Sequence, residues 1–290
     1  VFLGTRADFS KLSAPSRHAG WAFFNLRDYL CYNIPMPSSK NPKLIVANWK
    51  MNPRTLKEAK KIFNDFKKES IVYTNKTVVL CPPVLFLREL KSMYRGTKIF
   101  WGSQDIHFDD EGQHTSELSV PMIKDAGARF VIVGHSEVRA QGDTDEAIAK
   151  KVFRVLKEDM HVLLCVGEKV HDAQATYLTV VAEQLRSALR FVTPSLVKKL
   201  NVVYEPVWAI GKGATAMNTH DIHFMNLFIK KELMHKFGKN IGATVPILYG
   251  GSVDSYNARA IVEEGATDGL LIGRASLNPG EFAKIINSIA

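Results

Sequence analysis

Five short strings in this chain carry residues able to do chemistry. They are Asn48-Trp49-Lys50, Gly134-His135-Ser136-Glu137, Glu205-Pro206, Gly250-Gly251-Ser252 and Gly273-Arg274. A carboxylate base, a neutral imidazole and an ammonium group together suit proton transfer beside a carbonyl. The lysine would favour an anion and stabilise negative charge developing on oxygen. The two glycine-rich strings offer backbone N–H groups of the kind that bind phosphate. Each residue alone has a plainer reading. Glu205 could be a buried structural carboxylate, although the proline after it biases it to extended geometry. Lys50 could be a surface lysine, His135 a hydrogen-bonded structural histidine, and Gly250-Gly251 only a tight turn. Their joint placement at the ends of apolar runs favours a shared site.

Eight such runs recur from Lys43 onward: 44–49, 77–81, 98–102, 130–134, 161–166, 201–204, 246–249 and 269–272. They are continuously apolar rather than alternating, which predicts parallel strands covered on both faces. The segments between them read as amphipathic helices. Thr55 and Glu58 have capping-box spacing, and Leu56, Ala59, Ile62, Phe63 and Phe66 would line one helical face. Residues 146–157 and 221–236 repeat that logic. The predicted fold class is α/β: a (β/α)8 barrel, closed and eight-stranded, with outer helices and an N-terminal extension. In such a barrel the carboxyl ends of the strands form one mouth, which is where the five strings fall. An open doubly wound sheet has the same strand count, but no G-x-G-x-x-G follows the first strand.

A chain that is 46% hydrophobic and 23% charged can bury a large core. No apolar run reaches the 18 or so residues needed to cross a bilayer, so no membrane partner is expected. The net charge of +9 is scattered, and Lys57, Lys60, Lys61, Lys67 and Lys68 fall along one helical segment. No basic cluster interleaves with aromatics, so nucleic acid is not an expected partner. A small phosphorylated substrate suits the same charge. Cys31, Cys81 and Cys165 are too few for a disulfide framework or a zinc site. His220 and His223 have H-x-x-H spacing but no evident third ligand, so no metal is expected.

Residues 1–42 differ from the rest. They hold five basic residues, two acidic ones and five serines, ending in Pro35, Pro37 and Pro42. A basic, acid-poor leader resembles an organelle transit peptide of plastid type, with cytoplasmic residence as the alternative. The plainer reading is a surface extension packed through Trp21, Phe23 and Phe24. The domain division expected is therefore 1–42 and 43–290.

The strings Ala47-Asn-Trp-Lys-Met-Asn52, Gly134-His-Ser-Glu137, Tyr204-Glu-Pro-Val-Trp-Ala-Ile-Gly211 and Tyr249-Gly-Gly-Ser-Val253 resemble the signatures of the triosephosphate isomerase family. The resemblance runs from about residue 43 to the C-terminus and implies the TIM barrel. It implies a cofactor-independent isomerase that interconverts dihydroxyacetone phosphate and glyceraldehyde 3-phosphate. Carried over, Glu205 is the base and His135 the neutral proton shuttle. Lys50 supplies charge, Asn48 a hydrogen bond, and Glu137 anchors the lysine. Gly211 begins a lid, and Gly211, Ser252, Gly273 and Arg274 surround the phosphate. Ile210 and Leu271 would form an apolar clamp on Glu205. The family is dimeric, which makes the loop at Gln113-His-Thr-Ser-Glu117 a homodimer contact, with Thr115 inserting into the partner.

The chain departs from that pattern in four places. The lid reads Gly211-Lys-Gly-Ala-Thr-Ala216, with lysine and alanine where threonine and lysine are usual. Arg274 replaces a second glycine, and Ser116 stands where glycine is usual. The segment after Glu137 is one residue short and lacks the usual arginine pair and aromatic, which puts loop rigidity in doubt. These departures motivate the alternative of a degenerate paralogue kept for binding or scaffolding. A different phosphate-binding barrel would not require the asparagine, lysine, histidine and glutamate strings together.

Overall fold

The computed structural model describes residues 42–211 and 216–289. The leader readings for 1–41, and lid residues 212–215, lie outside the described residues. Eight strands, β1 (Lys43–Asn48), β2 (Lys76–Cys81), β3 (Ile99–Ser103), β4 (Phe130–Val133), β5 (His161–Val166), β6 (Leu200–Tyr204), β7 (Ile247–Tyr249) and β8 (Gly269–Ile272), follow in order round a closed barrel. All neighbours are parallel. Lys43 to Asn48 on β1 stand opposite Lys76 to Cys81 on β2, and Leu44 to Ala47 stand opposite Gly269 to Ile272. That last ladder closes the sheet and removes the open alternative. Gly269 is required for it, because a Cβ there would sit 1.9 Å from Leu44 O.

The continuous apolar runs have the physical origin inferred for them. Alternate residues point inward, and Leu44, Val46, Val79, Cys81, Phe130, Ile132, Leu163, Cys165, Val203, Leu248 and Leu271 fill the barrel. The residues between them, such as Ile45, Val78, Val131 and Val162, are equally inaccessible beneath the helices. Each such aliphatic contributes about 1.5–3 kcal/mol by leaving water. Cys81 and Cys165 are free thiols in this core, pushed well above the usual thiol range by burial.

Ten helices are described: α1 (Leu56–Lys68), α2 (Val84–Ser92), α3 (Val120–Ala126), α4 (Ser136–Ala140), α5 (Asp145–Lys157), α6 (Thr176–Ala188), α7 (Thr219–Phe237), α8 (Lys239–Gly242), α9 (Ala258–Glu263) and α10 (Pro279–Ser288). Thr55 caps α1 by accepting the Glu58 N–H at 3.2 Å. Glu58 returns its carboxylate one residue further back, to the Arg54 N–H. Ala59, Phe63 and Phe66 are buried along α1, whereas Leu56 is exposed at the helix start. Leu56 precedes the turn that reaches the barrel, so the predicted apolar face is shorter than its pattern. No described helix is long and apolar enough to cross a membrane.

Candidate active site at the strand ends

β1 delivers Asn48 and, two residues later, Lys50. Asn48 is buried, and its Oδ1 accepts the Lys50 N–H at 3.0 Å. Lys50 has left-handed backbone, φ 52°, a conformation costing an L-residue about 1–2 kcal/mol. Gln104, just past β3, helps to hold it, since its Nε2 donates to Lys50 O and to Cys81 O, both at 2.9 Å. The lysine Nζ then meets Glu137 Oε1 at 2.6 Å. Its Cε lies 3.5 Å from where a Cβ on Gly273 would stand. The ends of β1, β4 and β8 thus converge on one ammonium group.

β4 delivers His135, which is buried and caps α4. Its Nδ1 accepts the Glu137 N–H at 3.2 Å. That bond occupies the Nδ1 lone pair and assigns the ring proton to Nε2. Nε2 lies 3.2 Å from Glu205 Oε1.

β6 delivers Glu205, only 2% exposed, with its N–H bonded to Val166 O at 2.8 Å. Its Oε2 accepts the Ser136 N–H at 3.0 Å, while the buried Oε1 faces His135 Nε2 without a well-aligned hydrogen bond. A buried carboxylate oxygen short of aligned donors is costly, and such groups concentrate where chemistry is done. A cavity of about 310 Å3 at the ends of β4, β5 and β6 is bordered by Glu205, Ser136, Arg139 and Gly167, but not by Lys50 or Gly273. In this conformation the carboxylate sits on the β4–β6 side of the mouth.

The proposed phosphate residues come from three loops. Gly211 is exposed and has φ 120°, which a side chain would oppose. Ser252 is half-buried after β7, and its carbonyl accepts from Asn257 Nδ2 at 3.2 Å. Gly273 precedes the short 3-10 turn Arg274–Leu277, and Arg274 is exposed there. Leu271 belongs to the barrel core, and Ile210 is half-buried before the lid.

The loop after Glu137 is pinned despite its missing residues. Arg139 alone reaches Gly134 O, at 2.9 Å, and Asp145 Oδ1, at 2.7 Å. Lys151, buried on α5, holds Asp105 and Asp143 at 2.7 Å each and so joins the loops after β3 and β4. Ser116 adopts φ 76° in place of the family glycine, so this serine carries a left-handed backbone.

The sequence reading overlooked Gln104, the Ser136 N–H and Glu168. Glu168 is buried and accepts from Tyr204 OH at 2.9 Å and Trp208 Nε1 at 2.7 Å, bracing the turn that follows β6. Its place just beyond β5 was the available signal. His220 is exposed and paired with Asp221, and His223 is half-buried.

Comparison with known proteins fits this geometry. The model of the triosephosphate isomerase family matches residues 43–289. A triosephosphate isomerase of Aquifex aeolicus is 40% identical over 248 residues, which is 85% of this chain and 99% of that protein. Those of Alkaliphilus oremlandii and Roseiflexus castenholzii are each 37% identical, over 84% and 85% of this chain and 98% and 97% of theirs. The match covers every strand and all the side chains gathered at the mouth, and the chain belongs to the triosephosphate isomerase family.

Proposed function

We propose that this mouth interconverts dihydroxyacetone phosphate and glyceraldehyde 3-phosphate by proton transfer through an enediolate. Glu205 takes a proton from the carbon beside the carbonyl and returns it to the neighbouring carbon. His135 Nε2–H donates toward the carbonyl oxygen as that proton leaves. Lys50 offsets the negative charge spread over the two oxygens, and Asn48 holds the lysine backbone. Hydrogen only changes position within one molecule, so no external hydride acceptor takes part. N–H groups at Gly211, Ser252 and Gly273, with Arg274, receive the phosphate.

The observation that carries this reading is the Glu205–His135 approach of 3.2 Å, with the imidazole Nδ1 already occupied. A coupled isomerisation assay with Glu205→Asp tests it. The variant keeps a carboxylate but withdraws it by about 1.5 Å, and a displacement of that order costs on the order of 100-fold in kcat. No turnover by the folded wild type would overturn the reading.

We also infer a homodimer through the loop at Thr115. Met51 and Leu85 are 93% and 84% exposed, and they follow β1 and β2, whose ends Gln104 ties together. Large apolar side chains left this exposed favour a subunit contact. Residues 1–42 are proposed as a separate segment that directs the barrel to a plastid-like organelle, with the cytoplasm as the alternative. Their acid-poor composition and the start of the family match at residue 43 support this. A reporter fused to residues 1–42 that stays in the cytosol would overturn the targeting reading.

A further inference from the structure

The loop joining β3 to α3 carries a cluster that the isomerase chemistry does not use. His107, Asp109 and His114 present donor atoms that all lie within 4.8 Å of one another. Asp109 Oδ2 is 3.8 Å from His107 Nδ1 and 3.0 Å from His114 Nε2. The donors of one tetrahedral zinc ion, with bonds of about 2.0–2.2 Å, stand roughly 3.3–3.6 Å apart. The two observed separations bracket that value. Small rotations of the imidazoles, whose centroids are 4.0 Å apart, would complete the set.

The loop is held in shape without an ion. His107 N–H bonds Leu118 O at 2.7 Å across the neck of the loop. Arg154 Nε donates to Asp110 Oδ1 at 2.8 Å, and Lys150 Nζ lies 5.0 Å from the Phe108 ring centre. Both cations project from α5 and dock the loop against the barrel. Arg154 also engages the carboxylate next to Asp109, leaving Asp109 to the two histidines. An ion bound to His107 Nδ1 would take the lone pair that now accepts the Asp109 N–H at 3.1 Å.

We propose that His107, Asp109 and His114 form a binding site for a divalent ion of the zinc class, stapling the neck of this loop to its tip. Two imidazoles and one carboxylate suit zinc and its neighbours rather than magnesium or calcium, which take oxygen sets. Three protein ligands leave a fourth position open to water. Because Thr115 directly follows His114, the ion would also fix the segment inferred to reach the partner subunit.

Calorimetric titration of the EDTA-treated full chain with zinc chloride tests this, with magnesium chloride as control. One saturable equivalent of zinc and no magnesium binding are expected. His107→Ala and His114→Ala should each weaken zinc binding on the order of 100-fold or more, beyond the usual effect of losing a residue that only orients a ligand. His220→Ala/His223→Ala should leave it unchanged. Absence of saturable zinc binding, or an equivalent that survives both loop substitutions, overturns the site. Cobalt loading of the wild type gives a readout free of variant folding, because a tetrahedral nitrogen–oxygen set produces intense visible absorption. Only the weak spectrum of the hydrated ion would also overturn it.

Discussion

The Ser136 N–H donates to Glu205 Oε2 at 3.0 Å, joining residues 69 positions apart. The proposed base is therefore parked on the first residue of α4. A substrate seated beside Lys50 would draw it out of that bond, because the cavity that Glu205 borders does not include Lys50.

Gly250 leaves the carboxylate the room it occupies here. A Cβ at position 250 would stand 3.0 Å from Glu205 Cγ and 2.8 Å from Val203 Cγ1. Gly250→Ala is expected to displace the carboxylate and lower kcat on the order of 100-fold, with little change in KM. Steady-state kinetics checks this, and an unchanged kcat would show that the carboxylate does not need that space.

Arg274 is exposed one residue beyond Gly273 at the phosphate side of the mouth. If its guanidinium meets the substrate phosphate, Arg274→Gly should raise KM about tenfold, the loss of about 1.4 kcal/mol of binding. The variant should also show a shallower fall of kcat/KM with added salt. Equal KM and equal salt dependence in the two proteins would remove Arg274 from the phosphate site.

Asp105 gives the fold a pH signature. Burial pushes its carboxyl from 3.8 up to about 6, with Lys151 pulling the other way. Between those values the folded chain holds a proton that the unfolded chain releases. The contribution to stability is thus full below about 3.8 and lost as the pH rises to about 6. Asp105→Asn cannot titrate. The stability of wild type relative to this variant should therefore fall across that window, by at most about 3 kcal/mol. Urea unfolding on either side of the window measures it, and a flat difference would contradict the assignment.

The inferred subunit contact makes Met51 a sensitive position. Met51→Glu would bring a carboxylate into an apolar contact and should weaken self-association at least about tenfold. Sedimentation of both proteins at micromolar concentration decides it. A wild type that is already monomeric would end the dimer reading.

The sequence by itself determined the eight strands, three of the ten described helices and the strings that hold Lys50, His135 and Glu205. These are local signals: two-sided burial writes itself as a continuous apolar run, and a cap such as Thr55 acts within one turn. Only the tertiary structure decided closure, which rests on Leu44 meeting Gly269 across more than two hundred residues. It also assigned the His135 ring proton to Nε2, because the N–H that fixes the tautomer depends on the backbone turn into α4. Gln104 clamping Lys50, and Arg139 pinning a shortened loop, left no periodic trace in the chain. Such contacts join residues far apart in sequence. A single polar side chain carries no pattern that names its partner until the fold brings the two together.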